Sequence, residues 1–151
     1  MYNSSKPNYM NQLTVPNLMN SLIDNLIKEE AEKYSIGITE YKMLMFLSDS
    51  IKGYSASDFI KEGNFSKAHV SGVCANLIKL GYIEYARKQK NNKTKLLSIT
   101  KKGLEVINNS FSIKQKYYTI IYEGLSRDEV LLIARSNKKI QENIRVFLDL
   151  K

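Results

Sequence analysis

The sequence predicts a mostly α-helical protein that carries one small β-hairpin. Apolar residues recur every three to four positions over most of the chain, which is the period of an amphipathic helix. Between residues 82 and 99 the period changes to two, which is typical of strands. The hairpin follows several short helical segments and precedes two long ones, so the chain is predicted to contain a compact helical lobe with a hairpin and separate long helices.

Length, composition and charge limit the class of protein. The chain has 151 residues, of which 43% are hydrophobic and 25% are charged, so we expect one globular domain of ordinary size. Its one cysteine, Cys74, cannot form an internal disulfide, and we find no signal peptide or membrane-spanning apolar run, so we expect a cytoplasmic protein without a membrane partner. The 23 lysine and arginine residues outnumber the 15 aspartate and glutamate residues, and this net charge of +8 favours polyanionic partners.

The first helix is predicted to follow a polar, Asn-rich arm. We assign residues 1–15 to this arm because they have no sustained apolar period. Pro16 suits a first helical position, so we expect the helix to begin there and to end near Tyr34. Its apolar face consists of residues at helical spacing, namely Leu18, Met19, Leu22, Ile23, Leu26 and Ile27.

Three shorter helices follow, and each is marked by a capping residue. Thr39 is expected to cap the second helix. Ser55 and Asp58 have the spacing of a capping box for the third helix. Ser66 is expected to cap a fourth helix that Gly81 closes. The fourth helix has an apolar inward face formed by Val70, Val73, Cys74, Leu77 and Ile78, and its other face is polar.

The predicted hairpin is strongly basic. Residues 82–87 and 94–99 are its two β-prone runs, and residues 88–93 connect them. No acidic residue lies between Glu84 and Glu105. The same interval contains seven basic residues: Arg87, Lys88, Lys90, Lys93, Lys95, Lys101 and Lys102. The positive charge is therefore concentrated in a patch, which favours a nucleic-acid partner.

Two long helices with a heptad pattern complete the chain. Thr100 is expected to open a helix that runs to Leu125, and Ser126 with Glu129 forms a capping box for the last helix. Apolar residues in both helices alternate at spacings of three and four, a pattern that needs a helical partner. Asn137 lies at a seam position of the last helix, where it either fixes the register of an interface or lies at a solvated boundary.

Short helices followed directly by a basic hairpin have the order of a winged helix-turn-helix. In this arrangement one helix enters the major groove and the hairpin, called the wing, reaches the backbone or the minor groove. We assign residues 38–100 to this lobe. We expect residues 16–37 and 101–151 to form the helical remainder of the same interleaved domain.

Five short segments, spread along the chain, have an order that is typical of one family of regulators. They are Ile38-Thr39, Val70-Ser71 through Leu77, Gly81-Tyr82-Ile83, Ile99-Thr100-Lys101-Lys102-Gly103 and Gly124-Leu125-Ser126. On these segments the chain resembles the MarR family of bacterial transcription regulators. The resemblance implies an obligate homodimer, formed by the first helix and the last two, that binds a palindromic operator in double-stranded DNA and is released by a small-molecule or redox signal. Residues 16–37 and 101–151 are the corresponding dimerisation region. We expect a repressor without a cofactor, and a small aromatic or apolar molecule as the effector.

Two positions depart from the family pattern. The family wing carries Asp-x-Arg where this chain has Asn91 and Lys93. Because lysine lacks the planar fork of arginine, we expect weaker selectivity for groove width while the attraction to phosphate is kept. Gly72 stands where a basic side chain is common, which removes one base contact.

The candidate DNA contacts lie on the fourth helix and on the hairpin. They are Ser66, Lys67, His69, Ser71, Asn76, Arg87, Lys88, Lys90, Lys93 and Lys95. On the first turns of the helix, side chains can meet base edges, whereas the hairpin lysines are expected to attract phosphates. The alternative interpretation is that Ser66 only caps its helix and that the others are ordinary solvated residues.

Other chemistry receives little support from the sequence. The candidate effector-pocket residues are Phe111, Tyr117, Tyr118 and Tyr122, although an aromatic stripe is also typical of a helix core. Cys74 lies on an inward face, so we expect a core residue and not an oxidant sensor. His69 is the single histidine, so no metal site is expected. No catalytic motif is present, so we do not expect an enzyme.

Two functions compete with specific DNA binding. The winged lobe could be a protein-interaction module, but such a wing does not need seven positive charges without a negative one. It could also be an architectural protein that tolerates many DNA sequences, an interpretation that the missing wing arginine allows.

Overall fold

The computed structural model describes residues 9–49, 53–63, 65–86 and 95–148. They form seven helices and a three-stranded antiparallel sheet, so the predicted mostly α fold class with a small β-hairpin is confirmed. The chain divides into two compact units, the first ending at Gln115 and the second beginning at Lys116.

The first helix begins earlier than the sequence suggests. Helix α1 spans Tyr9–Lys33 and contains Pro16, so the predicted start at Pro16 is wrong. A proline fixes its own φ near the helical value, and a helix can continue through it at the cost of one hydrogen bond. The part of the predicted arm at residues 1–8 lies outside the described residues.

Helix α2, Ile38–Ser48, lies at the centre of the first unit. Its N-cap is Gly37, and the Glu40 carboxylate accepts a hydrogen bond from the Gly37 backbone N–H at 2.7 Å. The predicted Thr39 cap is therefore wrong, because an acidic side chain inside the first turn performs the capping. The buried residues of this helix are Tyr41, Met43, Leu44, Met45 and Leu47.

Helix α3, Ala56–Gly63, begins at the predicted capping box. The Asp58 carboxylate accepts from the Ser55 backbone at 2.8 Å, and the Ser55 hydroxyl accepts from the Asp58 backbone at 3.2 Å. The preceding strand β1, Tyr54–Ser55, was not predicted, since two residues are too few to establish a period.

Helix α4, Lys67–Lys79, has the predicted cap and the predicted buried face. The Ser66 hydroxyl accepts from the His69 backbone N–H at 3.2 Å. The buried residues of α4 are Val70, Val73, Cys74 and Leu77, while Ile78 is half-buried. Gly81, with a φ of +72°, takes the left-handed conformation that ends the helix.

The predicted hairpin strands pair as expected. Strand β2, Ile83–Tyr85, and strand β3, Leu96–Ile99, are antiparallel, with Ile83 opposite Ile99. Strand β1 pairs with the other edge of β3, which gives the order β1-β3-β2. The connecting residues 87–94 lie outside the described residues.

The single helix predicted from Thr100 to Leu125 is wrong. Thr100 caps a short helix α5, Lys101–Val106, and helix α6, Ser110–Ile121, begins after a turn. The turn contains two asparagines, which are poor helix formers. Asn109 there donates to the Glu30 carboxylate of α1 at 3.1 Å, a contact that holds the turn in place.

The second unit contains the last helix, α7, Arg127–Phe147. Its predicted capping box is confirmed, since the Ser126 hydroxyl accepts from the Glu129 backbone and the Glu129 carboxylate accepts from the Ser126 backbone at 2.8 Å. No described residue of α7 is buried.

Candidate nucleic-acid interface

The surface of interest is the exposed face of α4, opposite its buried stripe. Its exposed residues include the predicted Lys67, His69, Ser71 and Asn76. Between them lie Ala68, Gly72 and Ala75, whose side chains are small or absent. The face therefore has polar side chains at its edges and small side chains between them. An incoming molecule can approach the helix backbone closely along the small residues.

A cavity of about 470 Å³ lies on one side of α4, between this helix, α3 and the sheet. Its floor is apolar and includes Ile60, Val70 and Leu97. Lys67, Ser71 and Lys95 also line it, so the fold brings together predicted residues from two distant segments of the chain. The ammonium group of Lys95 is 5.4 Å from the centre of the Tyr85 ring. The other hairpin candidates, Arg87, Lys88, Lys90 and Lys93, lie outside the described residues.

An open groove of about 430 Å³ lies on the other side of α4, beside the beginning of α2. Glu40 and His69 are among the residues that line it. The Glu40 carboxylate accepts a hydrogen bond from the Asn76 amide at 2.6 Å, which ties α2 to α4. Asn76 is thus already engaged by a neighbour within the chain. Sequence reasoning missed Glu40, although the spacing from Gly37 to Glu40 is that of a capping box.

Aromatic rings lead from the core to the start of α4. The Phe65 ring lies 5.1 Å from Phe59 and 5.9 Å from the His69 ring, measured between ring centres. The His69 ring therefore lies beside Phe65, although His69 is exposed to solvent. Ser66, which precedes this turn, uses its hydroxyl as the helix cap.

Cys74 has the environment of a core residue. It is 8% exposed, and its Sγ lies 3.8 Å from the Sδ of Met43. Burial raises the pKa of its thiol, which disfavours the reactive thiolate.

The predicted effector residues fall in two different units. Phe111, 68% exposed, belongs to the first unit. In the second unit, Tyr118 stacks on Tyr122 with ring centres 6.0 Å apart and meets Tyr117 edge-on at 5.5 Å. Burial and the two neighbouring tyrosines raise the pKa of Tyr117. The three tyrosines form one aromatic cluster.

Two negative findings concern the described part of the chain. Within it, no group of three His, Cys, Asp or Glu side chains could hold a metal ion. No helix in the same ranges is long and apolar enough to cross a membrane.

A polar-faced helix followed by a paired two-stranded wing makes the first unit a winged helix-turn-helix. No protein-family model matches the chain. Among curated proteins, the HTH-type transcriptional regulator PapX of Escherichia coli is 24% identical over 123 residues, which cover 81% of this chain and 75% of PapX.

Solved structures identify the fold more closely. A MarR family transcriptional regulator from Listeria monocytogenes, complexed with 26mer DNA, matches with a TM-score of 0.74 at 20% identity, over 87% of each chain. The MepR–DNA complex of S. aureus matches with a TM-score of 0.68 at 16% identity, over 90% of this chain and 98% of MepR. The chain therefore has the fold of the MarR regulators, and the predicted resemblance is confirmed at the level of the fold.

Proposed function

We propose that the protein is a transcriptional regulator of the MarR type that binds double-stranded DNA sequence-specifically and has no catalytic activity. The observation that carries the proposal is the exposed polar face of α4 with Lys95 beside it, on a fold shared with two proteins whose structures were solved in complex with DNA. The major groove of DNA is wide enough to admit an α-helix. Positive charge beside that helix attracts the phosphates of the DNA backbone. Such a regulator works in the cytoplasm, which is the proposed location.

The two parts of the interface have different tasks in this proposal. Lys67 and Ser71 on α4 meet base edges or their immediate surroundings. Lys95 and the basic residues of the wing attract phosphate, which adds affinity for any sequence. His69 is a further base-side candidate, whereas Asn76 contributes through its bond to Glu40.

The test begins with selection of bound fragments from random DNA, which defines an operator. Fluorescence anisotropy then compares the operator with a random duplex across a salt series. We expect wild-type protein to prefer the operator by at least about 1,000-fold. A protein-interaction module would bind neither duplex, and an architectural protein would bind both equally.

Three variants separate the tasks within the interface. Ser71→Ala is expected to weaken operator binding by roughly 1 kcal/mol or more and to leave random DNA unchanged. Lys95→Ala and Lys93→Ala are expected to weaken both duplexes alike and to lower the salt slope by about one unit. Lys28→Ala, an exposed lysine of α1, is the charge-matched control and should change neither. If the wing variants weaken only the operator at an unchanged slope, the wing reads groove shape.

We propose a homodimer as the active form. In α7 the apolar side chains of Ile140, Ile144 and Phe147 are 53%, 52% and 86% exposed, and a second copy would cover them. A two-fold dimer implies a palindromic operator with half-sites about one helical turn apart. Light scattering that detects a stable folded monomer at micromolar concentration would contradict this part, and removal of residues 126–151 should cause aggregation or loss of tight operator binding.

We further propose that the regulator is a repressor that an effector releases. The aromatic cluster of Tyr117, Tyr118 and Tyr122 supports an aromatic or apolar ligand, since stacked rings offer flat apolar surface with hydroxyls at the edge. A panel of small aromatic acids and alcohols is tested for release of operator DNA from wild-type protein and from Tyr118→Ala. Release that is lost in the variant supports the site, and equal release from both proteins contradicts it.

A further inference from the structure

The end of α4 is held by the beginning of α5. Within the helix end itself, the Tyr82 backbone N–H donates to the Leu77 carbonyl and the Gly81 N–H donates to the Ile78 carbonyl, both at 2.9 Å. These two bonds satisfy helix carbonyls in the way a left-handed glycine normally allows. The carbonyls of the following residues still need donors from elsewhere.

Residues 100 and 102 supply those donors. The Lys102 ammonium donates to the Leu80 carbonyl at 2.8 Å. The Thr100 hydroxyl donates to the Gly81 carbonyl at 2.7 Å, and the Thr100 backbone N–H donates to the Tyr82 carbonyl at 3.0 Å. Three successive carbonyls after α4 are thus bound by the first residues that follow the wing.

Lys102 makes a second contact at the same place. Its ammonium group lies 5.0 Å from the centre of the Tyr82 ring, within the range of a cation–π interaction. The neighbouring Lys101 is also exposed and carries the same charge. The two lysines are therefore a natural pair for comparing a tethered ammonium group with an ordinary one.

We propose that Lys102 is a positioning residue, which fixes the end of α4 against α5 and so sets the orientation of the DNA-reading helix. This inference rests on the proposed function, and it removes Lys102 from the lysines that neutralise DNA phosphates. The Lys102 ammonium keeps its charge, but it is held at the Leu80 carbonyl and the Tyr82 ring instead of at a phosphate, so it adds little to the salt slope of DNA binding. Its contribution is to selectivity, because a displaced α4 loses its match to the operator while the general attraction of the wing remains.

The experiment uses the whole 151-residue chain with Lys102→Met, Lys102→Arg or Lys101→Met. Methionine keeps an apolar stem over Tyr82 and removes the donor, whereas arginine restores both donor and charge. Anisotropy gives the affinity for operator and random duplex across a salt series. Hydrogen exchange of the Gly81 and Tyr82 amides, measured without DNA, reports directly on the end of α4.

We expect Lys102→Met to weaken operator binding about three- to tenfold at an unchanged salt slope. This is the range of an ordinary intramolecular hydrogen bond, because solvent screens the charge of the exposed ammonium. Random DNA should be unaffected, and exchange of the two amides should accelerate by a similar factor. Lys102→Arg should restore both measurements, and Lys101→Met should leave amide exchange unchanged.

Two results would overturn the inference. One is a loss of about one unit of salt slope in Lys102→Met with equal weakening on both duplexes and unchanged amide exchange, since this is the behaviour of a phosphate contact. The other is the absence of any effect on affinity and exchange. The failure of the proposed function is distinguishable from these results, because it would appear in wild-type protein as equal affinity for operator and random DNA. The amide-exchange measurement needs no DNA, so unchanged exchange in Lys102→Met would refute the role of Lys102 at the end of α4 in either case.

Discussion

Gly103→Ala tests how tightly α5 packs against the chain that follows α4. Alanine is favoured over glycine inside a helix by about 1 kcal/mol, so without steric conflict the change would stabilise the protein. A Cβ at this position would lie 2.2 Å from the Tyr82 carbonyl oxygen and 2.7 Å from the Ile99 Cγ1. The carbonyl belongs to the backbone and cannot rotate away, so the structure has to shift.

The steric conflict is expected to outweigh the helix propensity. Overpacking of this kind costs about 1–3 kcal/mol, and a shifted Tyr82 carbonyl also weakens its bond from Thr100, which is worth about 1 kcal/mol. Subtracting the gain in propensity leaves a net loss of about 1–3 kcal/mol in the free energy of unfolding.

The matched control is Gly72→Ala on α4. This glycine is also helical, but apart from the neighbouring backbone of α4 itself no described atom lies within 4 Å of the added Cβ, so we expect a gain of about 0.5–1 kcal/mol. Urea unfolding of wild type and both variants is measured at one protein concentration, because the stability of the proposed dimer would depend on concentration. A Gly103→Ala protein as stable as wild type, beside a stabilised Gly72→Ala protein, would refute the close packing.

Three further predictions concern buried or capping groups. Tyr41→Phe should keep or raise stability by up to about 1 kcal/mol, since the buried hydroxyl has no hydrogen-bond partner among the described residues and burial raises the pKa of Tyr41 to about 12; a clear loss in urea unfolding would reveal a partner. Cys74→Ser should cost roughly 1–3 kcal/mol by placing a hydroxyl among apolar groups, while the response of DNA binding to peroxide stays unchanged; peroxide release in wild type alone would identify a sensor. Hydrogen bonds from the Ser55 side chain and backbone lower the pKa of Asp58, so the ionised carboxylate stabilises the fold above a pH of about 4 and this contribution disappears as the pH falls through the folded-state pKa. Asp58→Asn should lack this part of the acid dependence of stability, measured by urea unfolding at several pH values. A pH profile identical to that of wild type would contradict the assignment.

The features that were predicted from the sequence are mostly local. The capping pairs at Ser55 and Asp58 and at Ser126 and Glu129 are three residues apart, so the spacing alone defines the contact. The buried face of α4 also follows from periodicity, because each turn of the helix repeats the same pattern. For such features the sequence neighbours are the structural neighbours.

The features that were missed depend on distant partners. The break between α5 and α6 is held by Asn109 and Glu30, which are 79 positions apart, and a heptad pattern continues across the break without any sign of it. The hydrogen bond from Asn76 to Glu40 spans 36 positions. It engages within the chain the amide group of a residue that was predicted to contact DNA. Strand β1 exists because it lies beside β3, and its own two residues carry no strand period.

The basic patch illustrates why charge alone does not assign a role. Lys95, Lys101 and Lys102 each add one positive charge between Glu84 and Glu105, and in a sum over the chain they are equivalent. In the structure, however, Lys95 lines the cavity beside α4, whereas the ammonium of Lys102 donates to a backbone carbonyl. Charge predicts that a polyanion is attracted to this part of the molecule. The contacts of each lysine with carbonyl groups and rings decide which of them is available to a polyanion, and a sequence pattern does not display these contacts.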